Sequence, residues 1–417
     1  FHDCSTAARM AAVNGRLDDG NGEHHDGVFY CRSTSRTSHL MASMNELLAE
    51  HFEYLADAVK LRCYRAALQQ VVRPGDVVLD LGCGSGVLGL IALEAGAGFV
   101  YFLDRTAILE VAKLTVAGAG LSNRAAFLNE SSFEATLPEQ VDVVICDHIG
   151  YFGVDYGIRE LLADARARFL KPGGRLVPRR LELKLAAVSS PACRNLIGRW
   201  RGDEVPAAYR WLGSVQAHAK NGVSLTPDDI LACAPGGLSI ALGEPSPQLL
   251  SWSAHFDCDR QGLFDGIAGW FECELADGIW MTNSPLAKDR VSRSQVFLGL
   301  DEPVPVEAGE RVEATVMLRP DDSLIAWRIR WRDREFVHST WNTLALDGEN
   351  FTRDRRDRPA QLNHRGAIEQ AVLASCDGTR TVGDIENLVS QDRANLMPTP
   401  QALSAIIMQV LGRCTRR

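Results

Sequence analysis

The stretch VLDLGCGSGVLGL, residues 78–90, admits few backbone paths. An apolar run ends in Asp80, meets glycines at 82, 84 and 86, and continues as a second apolar run from Val87. Closely spaced glycines permit the positive φ angles of a tight turn, so the segment reads as strand, turn, helix. Backbone N–H groups at the start of such a helix face outward, and the missing Cβ atoms let a ligand come close. Roughly twenty residues further on, a second strand ends in FLD, where Asp104 stands ready to accept from both hydroxyls of a ribose. GCGSG alone can be a mere tight turn, but the paired acid favours a nucleotide site. The GxGxG spacing, with no glycine at the sixth position, suits a single nucleoside better than a pyrophosphate.

That unit sits in a chain of 417 residues, for which two or three domains are expected. With 46% hydrophobic and 23% charged residues, the chain reads as soluble and globular. Its apolar runs fall short of a membrane span and no signal-like segment opens it, so a cytoplasmic protein without a membrane partner is expected. The 11 cysteines include no CxxC pair, which suggests reduced core residues and no metal site. A net charge of −9 argues against nucleic acid as a partner.

Three blocks follow an aperiodic start. Residues 1–40 are expected to form a mobile segment, in which Glu23, His24, His25 and Asp26 read as solvated rather than metal-bound. Apolar residues recur at helical spacing from Met41 to Leu68. Strand-like and helical runs then alternate from 77 to 178, ending in a KPGG turn and the strand RLVP. Over 41–178 this predicts an α/β fold with a doubly wound parallel sheet. Short alternating stretches over 179–346 predict an antiparallel β domain, and 347–417 returns to helical spacing.

VLDLGCGSGVLGL with FLD and LKPGG resembles the S-adenosylmethionine-binding, Rossmann-like fold of class I methyltransferases. HFEYLADAVKLRCYRAAL and VDVVICDHIGYFGVDYGIRELL narrow the resemblance to protein arginine methyltransferases, over residues 45–345. It implies a β-barrel after the sheet, with SPLAKDRVSRSQVFLGL following the family pattern, and a homodimer. The arm at about 190–220, with Trp200, Tyr209 and Trp211, would grip the partner. For S-adenosylmethionine it implies His51 and Lys60 at the methionine end, Lys60 replacing the family's arginine, with Asp80 and Gly82 beside the methionine. Asp104 would hold the ribose, Ser132 and Phe133 would border the adenine, and Cys83, Gly84, Gly86 and Arg105 would complete the contacts. The family's tyrosines before His51 are missing: none occurs between Cys31 and Glu53.

The acceptor side departs from the family. Asp147 and Tyr156 occupy the places of two glutamates that clamp a guanidinium, with Asp155 beside the second, and Val291, Ser292 and Arg293 align with a Thr-His-Trp loop. The implied roles are Asp147 as hydrogen-bond or proton acceptor and Asp155 and Tyr156 as orienting groups. An inward Arg293 would repel a cation, so a neutral nitrogen such as imidazole is the expected acceptor and arginine the runner-up.

The tail, LNHRGAIEQAVLASCDGTRTVGDIENLV followed by PTPQALSAIIMQVL, resembles PqqD-like domains, the RiPP recognition elements that bind leader peptides. Asn363, Thr381 and Thr399 with Pro400 suit the starts of three helices in a small winged-helix fold. A plain helical appendage is the simpler reading. Together these readings describe a methyltransferase acting on a ribosomally made precursor peptide. The alternatives are a genuine arginine methyltransferase, a winged-helix regulator that senses the cofactor, and a scaffold that binds cofactor without turnover.

Overall fold

The computed structural model describes residues 44–245, 247, 249–319, 324–344, 362, 364–393 and 400–415. The start of the chain with Glu23–Asp26, the caps Asn363 and Thr399, and most of FTRDRRDRPAQL lie outside the described residues.

The helical spacing from Met41 is divided between α1 (Met44–Ala56) and α2 (Ala58–Val71). The break is at Asp57, buried at 7% exposure, whose Oδ1 accepts the Lys60 N–H at 2.9 Å as a cap of α2. Its Oδ2 accepts the Ser292 N–H at 2.8 Å, which ties α2 to a loop more than two hundred positions away.

Five strands form a parallel sheet: β1 (Val77–Leu81), β2 (Phe99–Leu103), β3 (Ala125–Leu128), β4 (Val141–Cys146) and β5 (Leu170–Val177), in the order β3-β2-β1-β4-β5. The helices α3 (Val87–Glu94), α4 (Leu109–Gly118) and α5 (Ile158–Arg168) connect them. Almost every side chain of β1, β2 and β4 is buried, as expected of strands covered on both faces. The order reverses direction between β1 and β4, so their C-terminal ends open the crevice where ligands bind in such sheets. KPGG, expected as a turn before the last strand, lies inside β5: the register with β4 jumps from Val141↔Leu170 to Val143↔Arg175. The extra residues bulge out, and Gly173 takes φ +75° to allow it.

Beyond Pro178 the chain is antiparallel. The strands are β6 (Arg180–Val188), β7 (Lys220–Val223), β8 (Ile230–Cys233), β9 (Leu238–Ala241), β10 (Leu250–Asp257), β11 (Gly262–Ala276), β12 (Ile279–Thr282), β13 (Gln295–Val306), β14 (Arg311–Arg319), β15 (Leu324–Trp331) and β16 (Arg334–Ser339). One sheet runs β7-β13-β11-β6-β8, with β9 on β6 and β12 on β11. The other runs β10-β14-β15-β16, and together they make the barrel-like domain. Trp327 joins the two, its buried indole N–H donating to Gly299 O at 2.9 Å. A continuous apolar core links this domain to the parallel sheet. At its centre the Phe152 ring fills the space over Gly269, where a Cβ would lie 2.2 Å from the ring.

The arm expected near 190–220 contains α6 (Pro191–Gly198) and α7 (Leu212–Gln216). Cys193, Ile197 and Ala217 pack there on Phe297 and Ala268. Buried Asp265 anchors its base, accepting the Ser190 N–H and the Arg194 Nε–H, each at 2.8 Å. Tyr209 and Trp211 are exposed. A short helix, α8 (Trp341–Leu344), follows β16.

Residues from Leu346 onward form a separate compact unit. Its helices α9 (His364–Ser375), α10 (Val382–Arg393) and α11 (Pro400–Cys414) enclose their own core of Ile368, Val372, Ile385, Val389, Leu403, Ile407 and Val410. Thr381 caps α10 reciprocally with Asp384, through N–H contacts of 3.0 and 3.2 Å. Among the described residues no helix is long and apolar enough to cross a membrane.

Replacing Asp57 with Ala removes the cap of α2 and leaves the Ser292 N–H without its acceptor. The expected loss is roughly 2–4 kcal/mol, the sum of a missing N-cap and an unmade buried hydrogen bond, measured by urea denaturation.

Candidate active site

The glycine turn is stitched to the neighbouring strand end. Gly82 N–H and Cys83 N–H both donate to Leu103 O, at 2.8 and 3.0 Å, and Gly84 N–H donates to Asp104 Oδ2 at 2.9 Å. Asp104 Oδ1 accepts from the N–H and hydroxyl of Thr106. These bonds orient the Asp104 carboxylate, and Oδ2 keeps acceptor capacity for a hydroxyl. Gly82, Gly84 and Gly86 take φ of +69°, +53° and +82°, the left-handed conformation expected of this turn. A Cβ at Gly82 would lie 1.9 Å from the His148 ring, and one at Gly84 would lie 2.5 Å from the His51 ring. Two imidazoles, from the end of β4 and from α1, thus cover the cradle. Such a cradle, with an oriented carboxylate beside it, fits a nucleoside.

Asp80 braces the helix that follows the turn. It is 1% exposed, and its Oδ2 accepts the Gly89 N–H at 2.7 Å, bracing α3 against β1. Burial pushes its pKa up to about 7, against the lowering effect of that N–H. Cys83 is buried, and burial pushes its thiol far above the ordinary range. Arg105 is exposed. Phe133 is about half exposed, and the Ser132 carbonyl accepts from Arg168.

The acceptor-side residues converge on Asp147, just beyond β4. Arg293 Nη2 donates to its Oδ2 at 2.7 Å, Lys60 Nζ lies 3.5 Å from the same oxygen, and the Tyr64 hydroxyl donates to Oδ1 at 3.2 Å. Burial alone would raise the carboxyl's pKa, but the charges of Arg293 and Lys60 outweigh it and hold the pKa below its usual value. Burial lowers the Lys60 pKa, and the adjacent Asp147 carboxylate opposes that shift. The Arg293 pKa is raised: burial works against its charge, and Asp147 more than compensates. Asp147 is therefore a carboxylate with a guanidinium, an amino group and a hydroxyl already in place, and its lowered pKa makes it a weak proton acceptor. Arg293 does point inward.

Asp155 does not join this cluster through any contact the structure shows. Its Oδ2 accepts the Phe152 N–H at 2.5 Å and its Oδ1 meets Lys220 Nζ at 2.7 Å, so it braces the 147–157 loop against β7. Tyr156, next to it, is exposed. Sequence reasoning missed Tyr64 and His148. Tyr64 lies one helical turn beyond Lys60 on α2, a spacing that puts both side chains on one face and was available as a signal. His148 had no such signal, because only the fold brings it over Gly82.

Protein arginine N-methyltransferase 1 of Chlamydomonas reinhardtii is 33% identical over 286 residues, covering 65% of this chain and 81% of the relative. The chain belongs to the protein arginine methyltransferase family. Protein arginine N-methyltransferase 6 of Xenopus tropicalis is 28% identical, over 65% of this chain and 84% of its own length. The arginine N(omega)-methyltransferase of Streptomyces achromogenes subsp. streptozoticus is also 28% identical, over 62% and 73%. The family model for ribosomal protein L11 methyltransferase (PrmA) matches residues 62–178. Among solved structures, the Trypanosoma brucei PRMT1 enzyme-prozyme heterotetrameric complex with AdoHcy superposes with a TM-score of 0.64. It has 17% identity and covers 70% of this chain and 97% of that one. Arabidopsis thaliana protein arginine methyltransferase 10 superposes at 0.61 with 21% identity, over 70% and 98%. This arginine methyltransferase relative thus shares the family's fold, while its own Arg293 lies against Asp147.

Because the folded pKa of Asp80 is about 7 and the unfolded value is near 4, its contribution to stability is present below about pH 4. It is lost as pH rises towards and through 7. Asp80→Asn removes this dependence. Its stability relative to wild type is expected to increase between pH 4 and 8, by of the order of a few kcal/mol, as read from chemical denaturation at both pH values.

Proposed function

We propose that the protein transfers a methyl group from S-adenosylmethionine to a side chain of a ribosomally made precursor peptide, whose leader is bound by residues 347–417. The carrying observation for the cofactor is the left-handed glycine turn bonded to Asp104, at the point where the sheet order reverses. Asp104 holds the ribose hydroxyls, the glycine turn accommodates the nucleoside, and Lys60 with His51 serves the amino-acid end. The bound cofactor supplies an activated methyl group on a sulfonium. The protein contributes orientation and exclusion of water, since a nucleophile held in line at near-contact distance supplies much of the rate.

The leader reading is supported by a tail with its own core and three short helices, together with its resemblance to PqqD-like domains. A tethered substrate reaches an effective concentration of roughly millimolar. Selectivity can then rest with the tail while the pocket only orients a nucleophile. An unmodified arginine methyltransferase activity is disfavoured because Arg293 already lies on Asp147, where a guanidinium acceptor would be clamped. A winged-helix regulator is disfavoured because α11 carries only Arg413 as a basic residue.

Calorimetry with S-adenosylmethionine should show strong binding by the wild type and a loss of roughly 1.5–3 kcal/mol per charged hydrogen bond for Asp104→Ala. Unchanged affinity would remove Asp104 from the site. Cutting the chain after Leu346 should leave cofactor affinity intact and abolish turnover on full-length precursor at low micromolar concentration. Equal turnover by the truncated protein would refute the tether.

A further inference from the structure

The Asp147 cluster bears on the chemical class of the acceptor, given the reading of this site as one of methyl transfer. A guanidinium acceptor needs a carboxylate that is not already paired with another guanidinium. Asp147 gives its Oδ2 to Arg293 at 2.7 Å and to Lys60 at 3.5 Å, and its Oδ1 to Tyr64 at 3.2 Å. The other nearby carboxylate, Asp57, is held by the backbone N–H groups of Lys60 and Ser292. An incoming cation would be repelled by the Arg293 guanidinium already on Asp147. A neutral nitrogen acceptor becomes a cation on methylation, and that charge would develop beside the Arg293 guanidinium.

Arg293 supplies the positive half of the argument. Its Nη2 is bonded to Asp147, while its Nη1 is buried and has no hydrogen-bond partner. A buried guanidinium N–H without an acceptor is costly, and the group that best satisfies it is a carboxylate. We propose that the acceptor is a carboxylate side chain, aspartate or glutamate, held by Arg293 Nη1 and methylated on oxygen.

The chemistry balances without a base. A lone pair of the ionised carboxylate oxygen attacks the sulfonium methyl carbon and forms the O–CH3 bond. The C–S bond breaks, and its electron pair stays on sulfur as S-adenosylhomocysteine leaves. One negative and one positive charge are consumed and no proton moves, so no charge is added beside Arg293. Arg293 is then a specificity-determining residue: it binds the acceptor and turns away guanidinium.

The test begins with S-adenosylhomocysteine binding to the full chain. Failure there sinks the methyltransferase reading itself, independently of the acceptor. With that ligand saturating, calorimetry compares the α-amides of N-acetylglutamate, N-acetylhistidine and N-acetylarginine at up to tens of millimolar. The expected result is a preference for the glutamate derivative, lowered roughly tenfold or more in Arg293→Gln and retained within a few-fold in Arg293→Lys, whose charge also guards against a folding artefact. A preference for histidine or arginine, or none at all, overturns the proposal.

A second arm separates the acceptor carboxylate from the cofactor's own. If Arg293→Gln weakens S-adenosylhomocysteine but leaves 5′-methylthioadenosine unaffected, Arg293 serves the cofactor's carboxylate and the assignment falls. Equal retention of both ligands supports it. With labelled S-adenosylmethionine, the glutamate derivative should acquire a methyl group released as methanol at alkaline pH. Alkali-stable label would mean methylation on nitrogen.

Discussion

One carboxylate ties the candidate site together. Asp147 leaves the end of β4, Lys60 and Tyr64 come from α2, and Arg293 comes from the loop before β13, so a single buried ionic cluster joins the parallel sheet, its entrance helix and the antiparallel domain. A buried carboxylate without its cations would cost several kcal/mol, as breaking buried pairs generally does. The elements that bring those cations must therefore be in register. Asp57 enforces that register from the other side, capping α2 with one oxygen and holding the Arg293 loop with the other.

The same logic of bonded strand ends builds the cofactor side. Leu103 O receives two N–H groups from the glycine turn, Asp104 receives a third, and Asp104 N–H in turn reaches Leu128 O at the end of β3. The ends of β1, β2 and β3 thus form one rigid rim. A site on such a rim is more exact than one on free loops, because every donor is fixed by a neighbouring strand. Asp80 belongs to this rim as a brace through the Gly89 N–H, and burial outweighs that bond and disfavours its charge.

The family relationship and the local chemistry point in different directions, and the difference is informative. The fold follows the arginine methyltransferases. Around Asp147, an arginine at 293 produces a site already carrying its own guanidinium. Arg293 is held there by the backbone of Val291 and Ser292, whose N–H groups bond to Thr282 O and to Asp57.

Local patterns determined a good deal by themselves. Continuous apolar runs separated by helical spacing identify a parallel sheet because both faces of each strand must be covered, and glycine spacing marks the left-handed turn beside Asp104 because a turn is a short-range constraint. The KPGG bulge was less legible: proline and glycine mark a turn, and only the register with β4 absorbed the turn into β5. Asp155 was read as an orienting group from its position beside Tyr156, whereas Lys220, distant in sequence, makes it a brace. The ionic cluster itself was beyond sequence reasoning. Asp147, Lys60, Tyr64 and Arg293 span more than two hundred positions, and whether a charge at 293 points to solvent or to Asp147 depends on desolvation and packing that exist only once the two sheets share a core.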